Sequence, residues 1–73
     1  MTPYRAAQIV NAALAANGID KVIPPQMMYN YTTARIRQGK KPFIECDNEG
    51  KITEEGLKTW LVKYLAKQNV EVK

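Results

Sequence analysis

Ile23-Pro24-Pro25-Gln26-Met27-Met28-Tyr29-Asn30-Tyr31, running on to Gly39-Lys40-Lys41-Pro42, is the stretch on which the fold turns. Paired prolines force extended backbone. The second then pre-sets a helix start, because its ring fixes φ at a position where no N–H is needed. From Pro25 the pattern is helical to about Gln38, and Gly39 ends it. Met27, Met28, Tyr31 and Ala34 recur as a stripe expected to be buried. Gln26, Tyr29, Asn30, Thr33 and Arg37 fall on the other face, at spacings of three and four. Ile23, just before the prolines, is expected to plug the core.

Upstream, Thr2 followed by Pro3 reads as an N-cap with proline at the first helical position. Tyr4, Ala6, Ala7, Ile9, Val10, Ala13 and Leu14 recur at helical spacing, and Asn17-Gly18 is a stop signal. A helix over Pro3 to Ala16 follows, with small alanines that let a neighbour approach closely. Downstream, Pro42-Phe43-Ile44-Glu45-Cys46 and Lys51-Ile52 flank the turn-forming group Asp47-Asn48-Glu49-Gly50, a pattern that predicts a small β-hairpin. Thr53 caps a last helix, with Glu54 and Glu55 at its positive end and Ile52 and Leu57 placed as a hydrophobic staple. Leu57, Trp60, Leu61, Tyr64 and Leu65 form its apolar face, with Lys58, Lys63 and Lys67 turned away. Residues 1–68 are expected to form one domain and 69–73 a frayed tail.

Composition narrows the function. A chain of 73 residues buries only about 60% of its unfolded surface, which leaves little room for a deep catalytic cleft. It has no histidine, which excludes histidine acid–base chemistry and histidine-ligated metals. Cys46 is the sole cysteine, so no disulfide and no thiolate zinc site forms within one chain. It is expected to be a small buried or half-buried hydrophobe on a strand. No enzyme and no cofactor are expected. With no long apolar run and no leading charged-then-apolar segment, the expected place is the cytoplasm, away from any membrane.

The net charge of +4 is unevenly spread. Over residues 1–44, Arg5, Lys21, Arg35, Arg37, Lys40 and Lys41 stand against Asp20 alone, a net of +5. Residues 45–73 carry a net of −1. Four of the cations fall between Arg35 and Lys41, the footprint expected for a polyanion partner. The plain alternative is a basic domain that binds no nucleic acid, its helix face merely solvated.

Helix, turn, helix, hairpin, helix is the order of a winged helix-turn-helix (α-α-β-β-α), a mainly α fold with a small β-hairpin. Ile23 to Tyr31 followed by Gly39-Lys40-Lys41-Pro42 resembles the second helix and following turn of small MerR-type and excisionase-type winged helix-turn-helix DNA-binding proteins of actinobacteria and their phages. The Ala6-Ala7-x-Ile9 start and the Trp60-bearing last helix are similar too. The resemblance implies that the helix 25–38 enters the major groove of double-stranded DNA while the hairpin touches backbone. It makes Gln26, Tyr29, Asn30 and Thr33 candidate base or phosphate contacts, and Arg35, Arg37, Lys40 and Lys41 mainly phosphate contacts. Two uses fit: a transcriptional regulator, or an excisionase-like recombination accessory factor. Either would act as a homodimer or as a cooperative row of protomers on DNA. The hairpin tip is acidic at Glu45, Asp47 and Glu49, where a DNA-touching wing is usually basic. Either it stops short of phosphate or its acids face a protein. The second option belongs to the alternative function, a protein-interaction module such as a phage protein that binds a host protein.

Overall fold

A computed structural model describes residues 1–72, with side chains as far as Gln68. Helix α1 spans Pro3–Ala16, and the Thr2 hydroxyl accepts from the Arg5 N–H at 3.1 Å, as the cap reading requires. Ala6, Ala7, Val10 and Leu14 make its buried face. The helix ends as Gly18 takes a left-handed φ of 69°, which lets the Ile19 N–H close back on the Leu14 carbonyl at 2.9 Å. On the same side of α1 sits Asn11, whose side chain grips the incoming chain twice. Its Nδ2 donates to the Ile23 carbonyl at 3.0 Å, and its Oδ1 accepts from the Ile23 N–H at 2.7 Å. Ile23 thus enters the core as expected, 3% exposed, and the chain leaves it through extended Pro24.

The helix expected from Pro25 to Gln38 is two helices. Helix α2 is Pro25–Tyr31 and helix α3 is Thr33–Arg37, separated by Thr32 with φ −124° and ψ −83°. The physical reason lies in Thr32 itself, which is fully buried and whose hydroxyl donates to the Met28 carbonyl at 2.8 Å. A threonine bonding back one turn competes with the backbone ladder and bends the helix. The break re-aims the stripe: Met28 is buried, Tyr31 and Ala34 are half-buried, and Met27 is 37% exposed rather than core.

The expected β-hairpin is not formed, and with it goes the winged helix-turn-helix of order α-α-β-β-α. Among the described residues there is no strand, only one isolated antiparallel bridge between Cys46 and Ile52. It is framed by the Asp47 N–H on the Lys51 carbonyl at 2.8 Å and the Thr53 N–H on the Glu45 carbonyl at 3.1 Å. The ladder cannot grow from there. Pro42 has no N–H to give, the Phe43 N–H goes to the Tyr31 carbonyl at 2.9 Å, and Ile44 turns inward to zero exposure. On the other side the Ile52 N–H is taken by the Met1 carbonyl at 3.1 Å. The segment between α3 and the last helix is therefore an irregular strap whose work is to insert Ile44 and Ile52 into the core.

Helix α4 spans Glu54–Val72. The Thr53 hydroxyl accepts from the Gly56 N–H at 3.0 Å, and Ile52 and Leu57, both 2% exposed, form the staple. Leu61, Tyr64 and Leu65 pack on the core as half-buried neighbours, as does Trp60. Farther along, Lys21 Nζ donates to Gln68 Oε1 at 3.2 Å, tying α4 to the connection after α1. The expected fraying of 69–73 concerns side chains that, with all of Lys73, lie outside the described residues. No helix among the described residues is long and apolar enough to cross a membrane.

Candidate nucleic-acid interface

The eight residues singled out by the sequence fall into two groups. Gln26, Tyr29 and Asn30 sit on α2, where Gln26 Nε2 donates to Asn30 Oδ1 at 3.0 Å, one turn on. Both amide side chains are exposed, while Tyr29 is half-buried. Their mutual bond holds the two amides side by side and leaves the other Gln26 N–H and the Asn30 N–H groups to donate outward. Thr33 lies beyond the break at Thr32, as the first residue of α3, and is half-buried. It is not on a helical continuation of the Gln26–Asn30 face.

The second group is cationic. Arg37 ends α3, and Lys40 and Lys41 follow the left-handed Gly39, φ 74°; all three cations are exposed. The turn is held by the Gly39 N–H on the Ile36 carbonyl at 3.0 Å and the Lys40 N–H on the Arg35 carbonyl at 2.9 Å. Arg35 differs from its neighbours. Its Nε donates to the Lys41 carbonyl at 2.7 Å, and its guanidinium carbon stands 3.9 Å from the centre of the Phe43 ring. It is a strut that shapes the basic turn, with its terminal N–H groups left over for a ligand. The one ion pair found among the described residues is Lys51 with Glu49, at 3.6 Å on the surface. None of the four cations from Arg35 to Lys41 is spent on a carboxylate there.

Compared with protein-family profiles, with curated proteins and with solved structures, the chain matches none. The functional reading rests on its own residues.

The acidic turn has structural work of its own. Asp47 Oδ1 accepts from the Glu49 N–H at 2.9 Å and the Lys51 N–H at 3.0 Å, an Asx turn. The Lys51 N–H, opposed next by desolvation and then aided by the Glu49 N–H, holds its carboxyl below the usual range. Glu49 and Lys51 border a cleft of about 400 Å³ that also takes in Thr33, Arg37 and the start of α1 at Thr2 and Pro3. An acid therefore borders the same cleft as Arg37. Cys46 is half-buried, its thiol donating to the Ile44 carbonyl at 3.3 Å. Burial first, then the neighbouring Asp47, pushes that thiol up. No group of three metal-ligating side chains occurs among the described residues.

Two features escaped the sequence reading. One is the Asn11 clamp, for which the signal was a polar side chain set among Ala7, Val10 and Leu14 on the buried face of α1. The other is a row of aromatic rings: Phe43 meets Tyr31 edge-on at 5.5 Å, Tyr31 meets Trp60 at 6.1 Å, and Trp60 stacks on Tyr64 at 4.9 Å with 15° between planes. The spacing of Trp60 and Tyr64 is legible as one helix face, but the partnership of Phe43 with Arg35 and Tyr31 depends on the strap.

Proposed function

We propose that this chain binds double-stranded DNA sequence-specifically, in the cytoplasm, as a small transcriptional regulator or an excisionase-like recombination accessory factor. The reading is carried by one observation. Arg37, Lys40 and Lys41 are exposed, close in sequence, and without a carboxylate partner among the described residues. Such a cluster gains counterion-release free energy on a phosphate backbone. Helix α2 supplies the base-reading chemistry, since Gln26 and Asn30 present amide donors and acceptors of the kind that pair with adenine edges. Arg35 braces the turn that carries the two lysines. The division of the expected helix 25–38 restricts the groove-facing element to α2, with Thr33 at its margin.

The test is fluorescence anisotropy against random-sequence duplex DNA, followed by a selected site. Neutralising about three phosphates predicts roughly a 40-fold loss of affinity between 50 and 200 mM salt. Arg37→Glu together with Lys41→Glu is expected to abolish binding without unfolding the protein, because both side chains are exposed. Absence of binding at low salt, or a double variant that binds unchanged, refutes the assignment and leaves a protein partner as the function to pursue.

A further inference from the structure

Two clefts meet at Trp60. One, about 430 Å³, is lined by Trp60, Lys63, Tyr64, Ala66 and Lys67. The other, about 230 Å³, continues past Lys63 and Trp60 to Phe43, with Glu45 and Glu55 at that far end. Together they make one shallow groove along α4, floored by aromatic rings and edged by exposed lysines. Phe43 is 57% exposed although it is large and apolar, and Trp60 and Tyr64 keep part of their surface in water. Lys63 and Lys67 are one turn apart, about 6 Å along the axis, which is of the order of one nucleotide step.

We propose that this groove binds a short stretch of single-stranded nucleic acid, two or three unpaired nucleotides long. Unpaired bases stack on the ring faces left open where Arg35 covers one side of Phe43 and Trp60 and Tyr64 stack on each other, while Lys63 and Lys67 meet the phosphates. Charge complementarity selects this occupant. An apolar helix has no use for two lysines bordering the ring faces, and an acidic peptide has no use for the rings; unpaired nucleotides use both. The acids Glu45 and Glu55 border only the Phe43 end, so the backbone runs along the Lys63–Lys67 end. Arg35 over the Phe43 ring joins this groove to the basic turn of Lys40 and Lys41, which makes the two surfaces contiguous. The proposal does not rest on duplex binding, for it uses none of the exposed cations from Arg37 to Lys41.

Trp60 is the only tryptophan, so its emission reports on the groove directly. Titration of the whole protein with a short oligothymidylate at low salt is expected to quench Trp60 saturably. Lys63→Gln with Lys67→Gln, both at exposed positions, is expected to weaken the interaction about tenfold. Tyr64→Leu is expected to weaken it by a similar factor through lost stacking. Circular dichroism identifies a Tyr64 variant that fails to fold, and the lysine pair then decides. Three results each overturn the proposal: no quenching at low salt, quenching of undiminished affinity in the lysine variant, or equal quenching by polyglutamate. The last would assign the groove to an acidic polypeptide. Duplex anisotropy is read separately, so failure of one site is distinguishable from failure of the other.

Discussion

Gly56→Ala should destabilise this protein, against the general rule that alanine is the better helix former. Gly56 lies in the first turn of α4, buried, with an ordinary helical backbone, so a conformational demand for glycine is not the issue. What matters is the strap that crosses it. A Cβ there would stand 2.6 Å from Glu45 Cβ, 2.8 Å from the Glu45 carbonyl oxygen and 2.8 Å from Thr53 Oγ1. None of these is the free end of a flexible side chain. The Glu45 carbonyl accepts from both the Thr53 N–H, at 3.1 Å, and the Thr53 hydroxyl, at 3.3 Å. That hydroxyl in turn caps α4 through the Gly56 N–H. The methyl must therefore push the strap off the helix and loosen the cap. Overpacking costs about 1–3 kcal/mol and a weakened cap about 1 kcal/mol, while the propensity gain returns at most about 1 kcal/mol. The net loss is about 2 kcal/mol, a fall in Tm of roughly 8–16 °C for a domain of this size. Thermal unfolding followed by circular dichroism measures it, with the exposed Thr59→Ala as a helix-propensity control. Adding Glu45→Gly removes the nearest contact and should recover part of the loss, a coupling of about 1 kcal/mol in a double-mutant cycle. A Gly56→Ala protein as stable as the parent would refute the close crossing of strap and helix.

Asn11→Leu should cost roughly 2–3 kcal/mol in chemical denaturation, because the Ile23 N–H and carbonyl both lose their partner at a buried position; a loss under 0.5 kcal/mol would be inconsistent with the clamp. The carboxyl of Asp47 is lowered from its ordinary value of 3.8, so its contribution to the turn is present above that pH and lost as pH falls through the lower native value. The amide resonances of Glu49 and Lys51 should therefore shift together with a midpoint below 3.8, and a midpoint at or above it would contradict the Asx turn. Cys46, its thiol pushed up by burial, should react more slowly with iodoacetamide at mildly alkaline pH in the folded protein than in denaturant; equal rates would place that thiol in open solvent.

Where chain-local chemistry decides, the sequence was sufficient. Thr2-Pro3 and Asn17-Gly18 bounded α1 as observed, and Thr53 with the Ile52–Leu57 staple began α4. These signals act within a turn or two of backbone and need no knowledge of the rest of the molecule. The misreadings concern residues whose roles are set across the fold. Pro42 to Ile44 have the apolar character of a strand, but a strand exists only if its N–H groups find a ladder. Here the Phe43 N–H finds Tyr31 instead. Thr32 reads as an ordinary helix position until its hydroxyl is buried with the Met28 carbonyl in reach. At the candidate interface, the exposure of Gln26, Asn30, Arg37, Lys40 and Lys41 follows from periodicity and glycine placement. The capture of Arg35 by Phe43 and Lys41 does not, since it depends on how the turn folds back.

The break at Thr32 changes what the duplex reading asks of the protein. A helix of fourteen residues laid in a major groove could present several turns of side chains. The seven residues of α2 extend only about 10 Å, roughly three base pairs. On the duplex proposal a reading element that short would discriminate by about two amide pairings, each worth about 1–3 kcal/mol. Together about 2–6 kcal/mol, they reach only the lower part of the roughly 4–10 kcal/mol that separates specific from non-specific binding. The difference has to come from repetition, through several protomers on adjacent sites, or from contacts outside α2. On the proposal that it takes unpaired nucleotides, the aromatic groove would supply such contacts, since Arg35 links it to the basic turn. A protein that engages duplex through the turn and single strand through α4 would favour DNA that is locally opened, a structural selectivity added to the short base reading of a seven-residue helix.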